Sequence, residues 1–179
     1  MLVKYANKLD IPVINVVRKQ EHVDMLTALG ATIILDSSSE SYAADLKETL
    51  SKYTKVAFYD AVGGGEPTTQ IIDALPPKST GYIYGVLGGA PVMYNGGNMI
   101  FFEKTISSFW VPKWFGSITL EEKKYWSEQV VSDLKLSDEE SCFKTKIAET
   151  FPLTKISDAW RQATKIASEG KVILRPHDE

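Results

Sequence analysis

The chain has 179 residues, 44% of them apolar and 24% charged, which is the composition of a globular protein with room for one full core. The net charge of −3 and the scatter of its lysines and arginines exclude an electrostatic nucleic-acid footprint. Cys142 stands alone, so an internal disulfide and a four-cysteine zinc site are both excluded, and no run of 18 apolar residues gives a membrane span.

Residues 1–9 place Leu2, Val3, Ala6 and Leu9 at helical spacing. They carry neither the apolar stretch and small-residue site of a secretory signal nor the arginine and serine of a transit peptide. Val13, Ile14, Val16 and Val17 then form a nearly continuous apolar run, which suits a strand buried on both faces. A helix over 20–29 follows, with Val23, Leu26 and Leu29 on one face and Gly30 as its left-handed stop. Residues 31–35 predict a strand, 41–53 a helix with Tyr42, Leu46, Leu50 and Tyr53 on one stripe, and 56–62 a strand ending in Gly63–Gly65. Pro67 fits the first turn of the next helix, Ile71, Ile72 and Leu75 its apolar side, and Pro76–Pro77 its end. Residues 81–87 predict another strand ending in Gly88–Gly89. Short apolar strands alternating with helices imply right-handed crossovers and a parallel sheet.

The texture changes after residue 90. Residues 91–98 read as a loop, and 99–115 are apolar and aromatic. Thr119 and Glu122 form a capping box ahead of a helix carrying Trp126, Val130 and Leu134, and Ser137 with Glu140 could cap a further short one. Ile156, Ala159, Trp160, Ala163 and Ile166 mark a last helix closed by Gly170, and 171–175 a last strand.

In a parallel α/β sheet, ligands bind beyond the carboxyl ends of the strands. That rule singles out Arg18–Gln20, Asp36–Ser38, Asp60–Gly65 and Tyr84–Gly89. Arg18 is the sharpest of these, because an arginine at this place can pair with the 2′-phosphate of NADP, where NAD sites carry an acid. The alternative is a solvated Arg-Lys pair opening a helix. Asp60 either touches a ribose or caps the glycine turn, and Asp36 caps the loop before residue 41. The glycines at 63–65, 88–89 and 96–97 admit close approach to a ligand or tight turns alike. His22 reads as a surface residue and His177 as part of a polar tail, so neither a zinc site nor a catalytic triad is formed. Tyr84, Tyr94 and Lys104 are the remaining candidate acids, with Tyr84 expected to pack in the sheet. The aromatic block at 101–126 reads as the wall of an apolar pocket or, with the better claim, an edge strand and helix buried by a twin subunit.

The segments LVKYANKLDIPVINVVR, LTALGATIILD, VAFYDAVGG, GYIYGVLGG and FPLTKISDAWRQATKIASEGKVILRP together resemble the medium-chain dehydrogenase/reductase superfamily. Within it they resemble zinc-independent quinone oxidoreductases and mitochondrial 2-enoyl thioester reductases. The resemblance implies a Rossmann-like α/β fold without its first strand and glycine-rich turn, with residues 1–118 as a truncated NADP-binding domain and 119–179 as C-terminal helices and closing strand. It implies NADPH as cofactor. Asn15, Val16, Val17 and Arg18 match the NADP-reading stretch, with Lys19 and Gln20 in the following contact positions. Ala61, Val62, Gly63 and Gly64 would run beside the cofactor. Tyr84, Gly85, Val86 and Leu87 match the segment along the nicotinamide, Phe109, Trp110, Val111 and Pro112 the segment beyond the next strand, and Lys171 the lysine of the terminal strand. The segment near 99–110 would be the edge strand of a homodimer, in a mitochondrial or cytoplasmic protein. The family's catalytic barrel, with its acid and its zinc ligands, has no counterpart in these residues, so no catalytic or metal-binding residue is carried over. Three functions remain open: part of an NADPH-dependent 2-enoyl thioester reductase, part of a quinone oxidoreductase or zinc-type alcohol dehydrogenase, or a non-catalytic dimerisation or binding remnant.

Overall fold

The computed structural model describes residues 1–165 and 170–176. Ile166 of the expected last helix, and His177 in the tail, lie outside the described residues. The chain forms an α/β fold of parallel strands flanked by helices, divided into two compact units: Ile11–Lys123, and Met1–Asp10 with Lys124–Glu179.

The first unit alternates strand and helix as the apolar pattern predicts. Strand β1 (Ile14–Val17) leads to α2 (Gln20–Ala28), β2 (Ile33–Asp36), α3 (Tyr42–Ser51), β3 (Ala57–Asp60), α4 (Gly65–Ala74) and β4 (Thr80–Ile83), with α1 reserved for the helix Leu2–Lys8 of the other unit. Gly30 stops α2 with φ of 83°, the left-handed value its position predicts. Strand β1 pairs in parallel with β2, from Ile14 opposite Ile33 to Val17 opposite Asp36. Strand β4 sits between β3 and β5 (Thr105–Ser108), again all parallel. Among the described residues nothing pairs the β1–β2 sheet with the β3–β4–β5 sheet.

One apolar cluster spans both sheets. Leu35, Tyr42, Leu46, Leu50, Ile71 and Leu75 form it, with Ile14, Val16, Val56, Phe58 and Ala74 packed against it. The period-two alternation of the strands explains the membership: Ile14, Val16 and Leu35 point to the face that α3 and α4 cover. Tyr42 brings its hydroxyl into this cluster without a partner, and burial raises the phenol above its ordinary pKa.

Several expected elements differ. Residues 91–98 are not all loop, because Asn95 caps a helix, α5 (Gly96–Phe101), by accepting from the Asn98 backbone N–H at 3.1 Å. The expected edge strand near 99–110 is confined to β5. Residues 81–87 are strand only to Ile83: Tyr84 N–H still adds a rung to Asp60 O, but the amide of Leu87 turns out of register to the carbonyl of Ala61. Beyond β5 comes α6 (Val111–Ser117), and then α7 (Leu120–Leu134), which runs on into the second unit. The capping box of α7 is reciprocal: Thr119 N–H donates to Glu122 Oε2 at 2.8 Å and Glu122 N–H to Thr119 Oγ1 at 3.2 Å.

In the second unit, β6 (Ile147–Pro152) and β7 (Lys171–Arg175) pair in parallel, with α8 (Ile156–Lys165) between them in the chain. Lys4 of α1 donates to the carbonyls of Asp138, Glu139 and Ser141. Asp133 is buried and accepts from Ser141 Oγ and from the amides of Cys142 and Phe143. Ser137 and Glu140 make their reciprocal bonds, yet on a single turn and not on the helix their spacing suggests.

Candidate functional site

The carboxyl ends of β1, β3, β4 and β5 carry the candidate residues of the first unit. At the end of β1 the chain leaves in an extended conformation, with Lys19 at φ −131° and ψ 142° as the N-cap of α2. No side chain caps that first turn, so its leading amides depend on solvent or a ligand. Lys19 is occupied by Glu21, with Nζ 2.9 Å from Oε1. That hydrogen bond and the lysine charge hold the Glu21 carboxyl below its usual range. Gln20 donates to Asp24 Oδ1 at 2.9 Å. Arg18 is exposed and makes no hydrogen bond or ion pair among the described residues. Its five donors stay available beside an uncapped helix start.

At the end of β3, Asp60 is 5% exposed and its role is decided by its partners. Oδ1 accepts from Val62 N–H at 2.8 Å; Oδ2 accepts from Gly63 N–H at 3.1 Å and from Thr68 Oγ1 at 2.8 Å. Thr68 in turn accepts from Gly64 N–H at 3.3 Å. The carboxylate therefore caps the glycine turn and fastens it to α4, so of the two readings the sequence permits, the cap is the one the structure takes. Asp36 behaves likewise at the end of β2, where the amide and hydroxyl of Ser38 bond to its Oδ1 and lower the carboxyl's pKa.

The turn after β3 is laced to the segment after β4. Leu87 N–H donates to Ala61 O at 3.2 Å, Gly88 N–H to Val62 O at 2.8 Å and Gly65 N–H to Pro91 O at 3.1 Å. Two glycines make this approach possible. A Cβ on Gly63, whose φ is +73°, would stand 2.1 Å from Gly85 O, and a Cβ on Gly85 would stand 2.4 Å from Ala61 O. These glycines serve the contact between two protein loops. Around Gly89 and Gly96 the place of a Cβ is open.

The lacing leaves side chains outside. Val86 and Leu87 are 79% and 85% exposed, and Tyr84 and Val62 are exposed beside them. Tyr84 thus does not pack in the sheet, because it follows the last paired residue of β4. Phe109 N–H donates to Ile83 O at 3.0 Å, which brings the end of β5 beside β4. There Phe109 leans toward Trp114, ring centroids 6.0 Å apart, and Trp110 occupies the N-cap position of α6, 68% exposed. Val111 and Pro112 form the first turn of that helix. The structure so gathers Ala61–Gly64, Tyr84–Leu87 and Phe109–Pro112 on one end of one sheet. Arg18–Gln20 end a strand of the other sheet in the same unit, and Lys171 opens β7 in the other unit.

Within Ala61–Gly64, Tyr84–Leu87 and Phe109–Pro112 the exposed hydroxyl of Tyr84 is the one titratable side chain. Lys104 is buried and donates to the carbonyls of Ile72 and Asp73 and to Asn98 Oδ1, so it closes the end of α4. Burial lowers its pKa, and Asp73 works against that shift. Among the described residues no three of His, Cys, Asp and Glu gather into a metal site, and the residues present do not fit a zinc ion. Thr68 is the site residue that periodicity does not reveal. It lies eight positions after Asp60, and only the turn between them brings it back.

The profile of the zinc-binding dehydrogenases matches residues 1–128. The chain belongs to that family. It is thereby a member of the medium-chain dehydrogenase/reductase superfamily. A search of curated proteins gives no match. Among solved structures, a protein of Bacillus thuringiensis assigned as an NADPH:quinone reductase superposes with a TM-score of 0.79 at 22% identity, over 98% of this chain and 52% of that one. A protein of Mesorhizobium loti with the same assignment gives 0.77 at 22%, over 98% and 49%. The mitochondrial 2-enoyl thioester reductase heterodimer of Candida tropicalis gives 0.73 at 20%, over 96% and 49%. These likenesses show the fold, and the chain spans about half the length of the structures it matches.

Proposed function

We propose that the chain is the NADPH-holding part of an oxidoreductase that reduces a conjugated carbonyl compound, a quinone or an α,β-unsaturated thioester. The observation that carries this reading is the exposed Arg18 at the end of β1, without a partner among the described residues and beside a helix start that no side chain caps. Such a donor fork suits a 2′-phosphate, with Lys19 and Gln20 next to it. The glycine turn held by Asp60, together with Tyr84–Leu87 and Phe109–Pro112, offers apolar side chains suited to lie along the cofactor's ring. Bound NADPH would supply the hydride; these residues would orient it and keep water from one side. The proposal takes residues 1–118 as the cofactor part and 119–179, with Lys171, as the C-terminal part.

Between the two substrates, the fold likeness to the quinone reductases equals or exceeds that to the enoyl reductases, which favours the quinone. The enoyl thioester reading keeps its support in the match of Arg18 and Trp110. The free edge of β5 supports a homodimer, and the mitochondrial relative supports the mitochondrion over the cytoplasm. Titration of the chain with NADPH and NADH tests the proposal. The expected result is weak binding with a preference for NADPH of at least ~10-fold, lost in Arg18→Ala; equal affinity for the two cofactors sinks the role of Arg18.

A further inference from the structure

We infer, building on the cofactor reading above, that Glu21 is a built-in competitor for the anion-binding start of α2. Its carboxylate sets how strongly the site prefers a phosphorylated cofactor over an unphosphorylated one.

Glu21 is the acid of the first turn of α2, and no side chain caps that turn. A carboxylate is favoured there for the reason a phosphate is: both face the positive end of the helix dipole and its leading amides. Of the three side chains proposed to read the 2′-phosphate, two are already held by acids of the same helix. Lys19 Nζ sits 2.9 Å from Glu21 Oε1, and Gln20 donates to Asp24 Oδ1 at 2.9 Å. Arg18 alone of the three has no partner among the described residues. A bound phosphate must therefore draw Lys19 off Glu21, and must do so beside a carboxylate of its own sign. NADH brings no phosphate to that place and meets neither cost.

His22 sets Glu21 apart from an ordinary surface ion pair. Its Nε2 is shut off from solvent, has no hydrogen bond among the described residues, and lies 3.7 Å from the same Oε1 that Lys19 holds. A buried nitrogen without a partner is costly, so it gains from any acceptor that comes within reach. A shift of under about 1 Å brings the Glu21 carboxylate into hydrogen-bond range of Nε2. Binding then runs as an exchange of partners. Lys19 passes from Glu21 to the phosphate, and Glu21 passes from Lys19 to the Nε2–H of His22. The neutral imidazole with its proton on Nε2 suffices, so no bond breaks and no proton is taken up. The side chains of Lys19 and Glu21 are 65% and 61% exposed, and solvent limits a competition between groups so placed to a few-fold.

The test titrates the full chain with NADPH and with NADH, following amide and imidazole nitrogen signals by NMR. Glu21→Gln is expected to tighten NADPH by about 3- to 5-fold and to leave NADH within about 1.5-fold. In a Lys19→Ala background the same substitution should gain less than about 1.5-fold, since no lysine is left to release. Saturating NADPH should move the His22 Nε2 signal to that of a hydrogen-bonded N–H, and NADH should not. Equal tightening of both cofactors by Glu21→Gln, no change for NADPH, a full gain in the Lys19→Ala background, or a His22 signal blind to NADPH would each overturn the competitor. Arg18→Ala separates this role from the cofactor reading. NADPH binding that survives Arg18→Ala unweakened, or that is absent from every variant, overturns that reading and the competitor with it. A loss in Arg18→Ala beside an inert Glu21→Gln overturns the competitor alone.

Discussion

Asp60 is where the proposed site and the fold depend on the same side chain. Removing the carboxylate in Asp60→Ala leaves the amides of Val62 and Gly63 and the hydroxyl of Thr68 without their acceptor. Hydrogen bonds to a charged group contribute about 1.5–3 kcal/mol each, and a buried donor left bare costs about 1–3 kcal/mol. The Thr68 hydroxyl can turn elsewhere, and Val62 N–H is only part-buried, so the full sum is not lost. A destabilisation of about 3–5 kcal/mol follows. Asp60→Asn keeps the shape and one acceptor but turns its amide toward a donor, so it loses about half as much. Urea denaturation followed by far-UV circular dichroism measures this directly. With a slope of about 2 kcal/mol per molar, the midpoint of Asp60→Ala falls by roughly 2 M. A midpoint within about 0.5 M of the parent, together with weakened NADPH binding, would refute the capping role and move Asp60 to the ligand.

Gly63→Ala must cost more than about 2 kcal/mol, since a left-handed alanine adds to a clash with Gly85 O, whereas Gly89→Ala, with open space around it, costs only about 1 kcal/mol. Equal melting temperatures for the two variants would show that the loops are not held as described. Tyr42→Phe removes a buried hydroxyl that has no partner, and is expected to raise stability by about 1 kcal/mol and the melting temperature by about 2–4 °C; a drop of that size would mean the hydroxyl is bonded. Burial on its own would raise the pKa of Asp133, but hydrogen bonds from Ser141, Cys142 and Phe143 and the charge of Lys8 hold it below the ordinary value. Its stabilisation is therefore present above the unfolded carboxyl's pKa and disappears as pH falls through the lower folded one. Acid titration of stability should show this loss in the parent chain and not in Asp133→Asn; identical profiles would remove Asp133 from the account.

The sequence by itself determined the elements whose causes are local. The apolar run at 13–17, the helical stripe of Tyr42, Leu46 and Leu50, the left-handed Gly30 and the capping box of Thr119 and Glu122 all act within a turn or two of chain, and all stand where spacing puts them. The parallel α/β class followed from their alternation. The strand β6 escaped notice because IAETFP alternates too weakly to signal a strand away from its partner β7. Tertiary structure alone decided where β4 stops, since the amide of Leu87 takes the Ala61 carbonyl, which only the folded turn after β3 presents. It also made Asp60 a cap, by returning Thr68 beside it, and committed Lys104 to the carbonyls closing α4. Arg18 was legible because its place depends only on where a strand ends. That it has no partner among the described residues was not, because a charge becomes spoken for only when distant parts of the chain are brought together.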